Sequence, residues 1–269
     1  MEEITLTEQN YHSTEARKLY MGYSQFKDFL DCPKKALAKI NGELEEKQTE
    51  ALLFGSYVDA YFSGTLNDFI LEHNEIFNAK TGQLKAPYVN VEKVIESIEN
   101  DELLYKMLQG EHQVIMTGII AGVPFKIKVD SFFKDKYIVD QKVMRDMNPV
   151  WIETDGRKGK VNFVEAFRYD LEGAIYQEIV RQRTGKRLPF ILAVTTKEDV
   201  PAKALLKIDQ EDLDKALEEV KRLAPKFQAM KEGKIEPYGC GKCEVCRKDK
   251  KITGIFSYHI YDPFQNDDF

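Results

Sequence analysis

A chain of 269 residues with 43% hydrophobic content and a net charge of −6 can build a sizeable core. The acidic balance excludes a generally basic nucleic-acid coat, so any contact with a polyanion must use a restricted patch. No apolar run approaches the roughly 20 residues of a membrane span and MEEITLTEQNYH lacks a signal-peptide pattern, so the expected location is the cytoplasm, with no membrane partner.

In chain order, residues 1–22 read as a polar, flexible lead-in. A helix starts at Tyr23-Ser24, with Ser24 as its N-cap and Phe26, Phe29 and Leu30 on its apolar face. Cys32-Pro33 interrupts it, and a second helix carries Ala36, Leu37 and Ile40 up to Asn41-Gly42. After a polar linker, ALLFGSYVDAYFSG is an apolar helix with the charged Asp59 inside it. Thr65 caps the next helix, and VEKVIESIENDELLYKML reads as one long helix. Residues 117–143, TGIIAGVPFKIKVDSFFKDKYIVDQKV, are consecutive strands broken at Ala121-Gly122 and at the polar turn Lys134-Asp135-Lys136.

The stretch RDMNPVWIETDGRKGKVN follows as a break rich in turn residues, its Arg157-Lys158-Lys160 cluster reading as a solvated loop. Residues 164–184 form a strong helix with Phe167, Leu171, Ala174, Ile175 and Ile179 as its buried stripe, ended by Gly185. LPFILAVTT is a buried strand. Asp209 then caps an amphipathic helix in which Pro225 predicts a kink. Helix, three strands, helix, strand through the middle predicts an α/β fold with a mixed sheet covered by helices. The expected division is a lead-in (1–22), a main domain (23–235) and a cysteine-bearing C-terminal segment and tail (236–269).

The hairpin around residues 134–136 carries the chemistry. A three-residue loop there sets Asp130 opposite Asp140 and Lys128 opposite Lys142, all on one face, while Ile127, Val129, Val139 and Val143 take the other. A loop of two or four residues would split the two acids between faces. Carboxylates about 5 Å apart across a sheet repel, and a hard cation, Mg²⁺ or Mn²⁺, relieves that by taking their oxygens. With Lys142 beside such a metal, the set suits hydrolysis of a phosphodiester. Lys126, Lys128, Lys142, Arg145 and Arg168 would form a narrow basic channel for DNA.

Cys240, Cys243 and Cys246 form C-x(2)-C-x(2)-C, and Cys32 is the only other cysteine. In a cytosolic chain that count reads as metal ligation rather than disulfides. Four thiolates suit a tetrahedral Zn²⁺ or a [4Fe-4S] cluster, and spacing along the chain does not separate the two.

Together these pieces resemble the PD-(D/E)XK nuclease superfamily, in particular its phage-encoded RecE-like exodeoxyribonucleases and its RecB-type branch. Val129-Asp130 and Ile138-Val139-Asp140-Gln141-Lys142 match the D…(D/E)-x-K motif. Phe54-Gly55-Ser56-Tyr57-Val58-Asp59 resembles the G-x(3)-H helix motif, with Asp59 at the histidine position. Arg168-Tyr169-Asp170-Leu171-Glu172 through Tyr176 resembles the Q-x(3)-Y motif, with Glu172 for glutamine. Tyr23-Ser24-Gln25-Phe26 through Cys32-Pro33 resembles the entry of iron–sulfur nucleases, in which one cysteine before the core and three behind it staple the two ends.

The resemblance implies a restriction-endonuclease-like αβββαβ core with added N-terminal helices. It implies a metal held by Asp130 and Asp140 with Asp59 supporting the shell, Lys142 at the reacting phosphate, and Glu172 and Tyr176 positioning these groups. It further implies cleavage from double-stranded DNA ends in phage or mobile-element recombination, a ring-like homo-oligomer and a single-strand annealing partner. A structure-specific endonuclease, or a non-catalytic binding module on the same fold, is the alternative.

Overall fold

The loop on which the carboxylate pairing depends closes as a three-residue turn. Asp135 takes a left-handed φ of 69°, and the Lys136 N–H donates to the Phe133 carbonyl at 2.9 Å. Pairing then runs Ser131–Val139, Phe132–Ile138 and Phe133–Tyr137, the register expected of a short hairpin loop with an αL residue.

The computed structural model describes residues 4–44, 48–154, 157–251, 254–255, 257 and 259. In chain order they form helices α1 (Thr14–Leu19), α2 (Tyr23–Asp31), α3 (Pro33–Ile40), α4 (Glu50–Ser63), α5 (Leu66–Glu72), α6 (Val91–Glu99) and α7 (Glu102–Met107). Strands β1 (Glu111–Ile120), β2 (Val123–Phe133), β3 (Tyr137–Met144), β4 (Val150–Thr154) and β5 (Arg157–Val161) follow. Then come α8 (Phe163–Ala166), α9 (Tyr169–Thr184), β6 (Phe190–Thr196), β7 (Lys203–Lys207), α10 (Gln210–Lys231) and α11 (Glu244–Asp249). No helix among the described residues is long and apolar enough to cross a membrane.

Five strands make one sheet in the order β1-β2-β3-β6-β7. Its β2–β3 and β6–β7 pairs are antiparallel and its β3–β6 pair is parallel, so the expected mixed sheet is present. Between β1 and β2, Ala121 and Gly122 both have positive φ, 48° and 79°, the combination that matches a two-residue turn to strand twist. Central β6 is buried at every position, as a strand covered on both faces must be.

The chain divides into two units, one of residues 1–46, 117–126 and 218–269, the other of residues 47–116 and 127–217. In the second, Val139, Ile191 and Ala193 of the sheet share a core with Phe54, Tyr57 and Val58 of α4 and with Val94 and Ile98 of α6. Phe190, at the alternate β6 position, receives α9. A Cβ on Gly173 would meet the Phe190 ring at 2.7 Å and the Leu213 side chain at 2.8 Å, so only glycine lets α9 lie this close. In the first unit, Phe227 of α10 stacks on Phe29 at 5.2 Å and meets Phe26 edge-on at 5.3 Å. All three rings are fully buried, a pairing that adds about 0.5–1.5 kcal/mol each beyond burial.

Several local expectations change. The lead-in contains α1, capped by the Ser13 side chain on Ala16 N–H at 3.1 Å, and Met21 bridges to Phe125. The long helix over 91–108 breaks into α6 and α7 because Asp101 caps a new start, accepting from Leu104 N–H at 3.1 Å. Helix α2 begins after Gly22 rather than at a Ser24 cap. Residues 150–154 and 157–161 pair as the antiparallel strands β4 and β5 instead of a loop, with cross-strand pairs such as Lys158–Glu153 at 2.9 Å. Arg168, with φ of 59°, separates α8 from α9. Helix α10 runs through Pro225, its stripe of Ala224, Phe227 and Met230 buried along the way.

Candidate active site

Strand alternation sends Val139 to the apolar core and Asp140 and Lys142 the other way. Asp140 is 3% exposed. The Lys142 Nζ lies 2.7 Å from Asp140 Oδ2 and 3.1 Å from Glu172 Oε2, and 5.1 Å from the centre of the Tyr169 ring. Glu172 reaches it because Gly173, the next residue, lets α9 approach the sheet. Burial alone would depress the Lys142 ammonium. Asp140, Glu172 and Asp130 outweigh it and hold the pKa well above its ordinary value, so Lys142 is a fixed cation.

Two residues beyond Val139, the Gln141 N–H donates to Asp130 Oδ2 at 2.8 Å. The Asp130 carboxylate therefore stands in for a strand carbonyl and is anchored beside Asp140. Burial, then Asp140 and Asp59, push its carboxyl well above the ordinary value. Asp59 is raised to about 6, by burial first and by Asp140, against the opposing charges of Lys128, His112 and Lys142. Carboxylates from α4, β2 and β3 thus feel one another's charge.

Gln113 on β1 donates through Nε2 to both Asp59 oxygens, at 3.0 and 3.2 Å, and its own Oε1 is buried without a hydrogen-bond partner. Its φ is 53°, a conformation costly for a non-glycine residue and characteristic of positions held for a purpose. Neither Gln113, His112 nor Tyr169 was expected at the site. A left-handed residue inside a strand leaves no mark in the sequence, whereas Tyr169, next to the Arg168 of the helix motif, could have been found by its position there.

The donor set has the chemistry for a hard divalent cation: carboxylates that raise one another's pKa and a buried carbonyl oxygen in need of a partner. It is not drawn into a closed cage. Among the described residues, only the four cysteines bring three or more Cys, His, Asp or Glu ligand atoms within 4.8 Å of one another. At the carboxylates, Lys142 Nζ already occupies Asp140 Oδ2 at 2.7 Å.

Tyr176, also on α9, donates its hydroxyl to the Lys128 carbonyl at 3.1 Å, tying the helix to β2 two residues before Asp130. The expected basic channel is reduced. Lys126 belongs to the other unit and is 5% exposed, donating to the Tyr11 carbonyl and lying 4.4 Å from the centre of that ring. Burial, with Arg17 adding, pulls its pKa down to about 8, so Lys126 is a core group rather than a phosphate contact. Arg168 makes a two-pronged contact with Asp170 at 3.1 and 3.2 Å, and the exposed Arg145 pairs with Asp146 at 2.6 Å. Lys128 remains half-buried at the site, acting on Asp59 through its charge.

The cysteines gather in the first unit. Cys32 is buried where α2 meets α3, and its Sγ lies 3.7 Å from Cys243 Sγ and 3.6 Å from Cys246 Sγ. These separations are far beyond a disulfide bond of about 2.05 Å, and all four thiols are free.

The family described as "PDDEXK-like domain of unknown function (DUF3799)" matches residues 22–249. No curated protein sequence matches significantly. Among solved structures, the chain is similar to a crystal structure described as "Putative exonuclease" from Eubacterium rectale. The two are 40% identical, the alignment covers 95% of this chain and 97% of that one, and the TM-score is 0.87. The five-stranded mixed sheet flanked by helices is consistent with a restriction-endonuclease-like fold. With the carboxylates, Lys142 and most of the chain accounted for, the protein belongs to the PDDEXK-like domain family of the PD-(D/E)XK superfamily.

Proposed function

We propose that this chain is a Mg²⁺- or Mn²⁺-dependent deoxyribonuclease that hydrolyses phosphodiester bonds from double-stranded DNA ends. The observation that carries the reading is the half-buried Lys142 cation clamped between Asp140 at 2.7 Å and Glu172 at 3.1 Å, beside Asp130 and Asp59. Family membership and the name carried by the similar crystal structure support it. Asp130 and Asp140 would hold the cation, with Asp59 supporting it; bound there, it supplies Lewis-acid neutralisation of phosphate charge. Lys142 offers an ammonium, already ionised and fixed, to the attacking water and to charge developing on the phosphate. Glu172 holds that ammonium in place. Tyr176 positions β2 by its bond to Lys128.

The finer reading is a RecE-like enzyme of phage or mobile-element recombination, acting in the cytoplasm as a ring-like homo-oligomer that feeds a single-strand annealing protein. Residues 23–235 would be the catalytic domain, with the 1–22 lead-in and the 236–269 segment flanking it. The cysteines would be structural, stapling Cys32 to the C-terminal segment. Their two candidate occupants, a four-iron cluster and a zinc ion, demand different thiolate spacings. An acidic exterior repels the flanks of a long duplex and favours entry of a free end.

The test is degradation of linear against covalently closed circular duplex, with Mg²⁺ or with EDTA. Loss of linear duplex only with the metal, closed circles surviving, is the expected result. Nicking of closed circles at a similar rate would replace it with a structure-specific endonuclease. Tight binding without cleavage under any divalent metal would leave a DNA-binding module.

A further inference from the structure

The spacing of thiolates around a metal centre reports how many metal ions they share. Four thiolates on one tetrahedral ion, each about 2.3 Å from it, stand about 3.8 Å from one another. In a four-iron cluster every thiolate bonds a different iron, and the intervening cube holds the sulfurs roughly 6 Å apart. Here Cys32 Sγ is 3.7 Å from Cys243 Sγ and 3.6 Å from Cys246 Sγ, and the four Sγ atoms all lie within 4.8 Å of one another. We infer that Cys32, Cys240, Cys243 and Cys246 together bind a single tetrahedral metal ion, zinc by its preference for four thiolates, and not the iron–sulfur cluster that the family resemblance implied.

The backbone supports the tight arrangement. The Cys243 N–H points at Cys240 Sγ at 3.3 Å and the Cys246 N–H at Cys243 Sγ at 3.4 Å, so two sulfurs already receive the donors that stabilise a thiolate. Between the first two cysteines, Gly241 supplies the left-handed turn, with φ of 71°, that folds the chain back on itself. A Cβ on Gly239 would come within 2.7 Å of Cys246 Sγ, so the segment presses directly on the sulfurs. Cys32 cannot easily retreat. Its N–H donates to Asp28 and its carbonyl accepts from Ala36, both at 2.9 Å, which fixes it between two helices. Opening the sulfurs to cluster dimensions would require breaking that junction or unfolding the Cys240–Cys246 turn.

The decisive measurement is the metal and sulfide content of the full-length chain, purified without oxygen from cells supplied with both iron and zinc. It does not depend on cleavage, so its outcome is separate from the nuclease reading. About one zinc per chain, no acid-labile sulfide and no brown absorption is the expected result. Replacing the ion with Co²⁺ should then give the intense visible bands of a tetrahedral thiolate site. About four irons and four sulfides per chain would overturn the inference, as would metal-free protein that fails to take up zinc in stoichiometric amounts. Gly239→Ala keeps all four ligands yet forces a methyl group against Cys246, and should weaken zinc binding at least tenfold in a chelator competition. Unchanged affinity in that variant would also count against the geometry.

Discussion

Asp59 offers the sharpest test, because its position costs stability when no cation is bound. Its carboxyl is raised to about 6 from an ordinary 3.8, by burial first and then by Asp140. At 1.36 kcal/mol per pH unit, the ionised form is disfavoured in the folded state by about 3 kcal/mol. That figure is a ceiling, since the side chain keeps some solvent access. The sign follows from proton binding: folded Asp59 holds its proton more tightly than unfolded Asp59. Stability therefore falls as pH rises from about 4 to 6 and stays flat above. Asp59→Asn removes the charge and keeps an oxygen to accept from Gln113 Nε2, now 3.0 Å from Asp59 Oδ1. It also lifts one repulsive charge from Asp130. In EDTA at pH 8, urea denaturation should find the variant more stable by about 1–3 kcal/mol, with the difference vanishing near pH 4. Added Mg²⁺ should stabilise the wild type more than the variant, because only a ligand bound to the native state shifts folding. A variant less stable than wild type at pH 8, or an advantage that persists unchanged at pH 4, would refute the reasoning.

Asp140→Asn should abolish Mg²⁺-dependent cleavage of linear duplex while circular dichroism shows a folded protein; wild-type rates would remove Asp140 from the site. Lys142→Met strips the cation from between Asp140 and Glu172 and should destabilise by about 3–5 kcal/mol at pH 8, less on acidification as the stranded carboxylates take up protons; denaturation at pH 8 and pH 5 measures both. Tyr176→Phe loses the hydroxyl bond to the Lys128 carbonyl, so stability should drop by about 1 kcal/mol and cleavage should slow without a change in metal requirement. Lys231, lowered to about 7 chiefly by burial and by Lys126, is proton-poorer folded than unfolded, so stability should climb as pH rises from 7 toward 10. Lys231→Met should flatten that climb in a denaturation series.

The division between what was legible in the sequence and what was not follows the range of the interactions. The hairpin was readable because a polar triplet between two β-branched runs fixes loop length, and loop length fixes which residues share a face. That local rule correctly paired Ser131 with Val139, the last registered pair before Asp130 and Asp140. Central β6 was readable as an uninterrupted apolar run. The misses came where one side chain or one dihedral decides. Asp101 splits a helix by capping it, and Arg168 splits another by turning left-handed, although periodicity runs smoothly through both. Lys126 shows the limit of alternation: it shares the parity of Asp130 and Lys142, so strand period alone assigns it to the charged face. Burial, however, is set by what packs over each end of a long strand. Tyr11, 115 positions away in the chain, covers Lys126, and no period in β2 encodes that. The cysteines mark the same boundary from the other side. Their count and order suggest a shared metal centre, but the number of ions it holds depends on distances between sulfurs. Those distances are set by the α2–α3 junction, the Gly241 turn and the close approach at Gly239, and they exist only once the chain has folded.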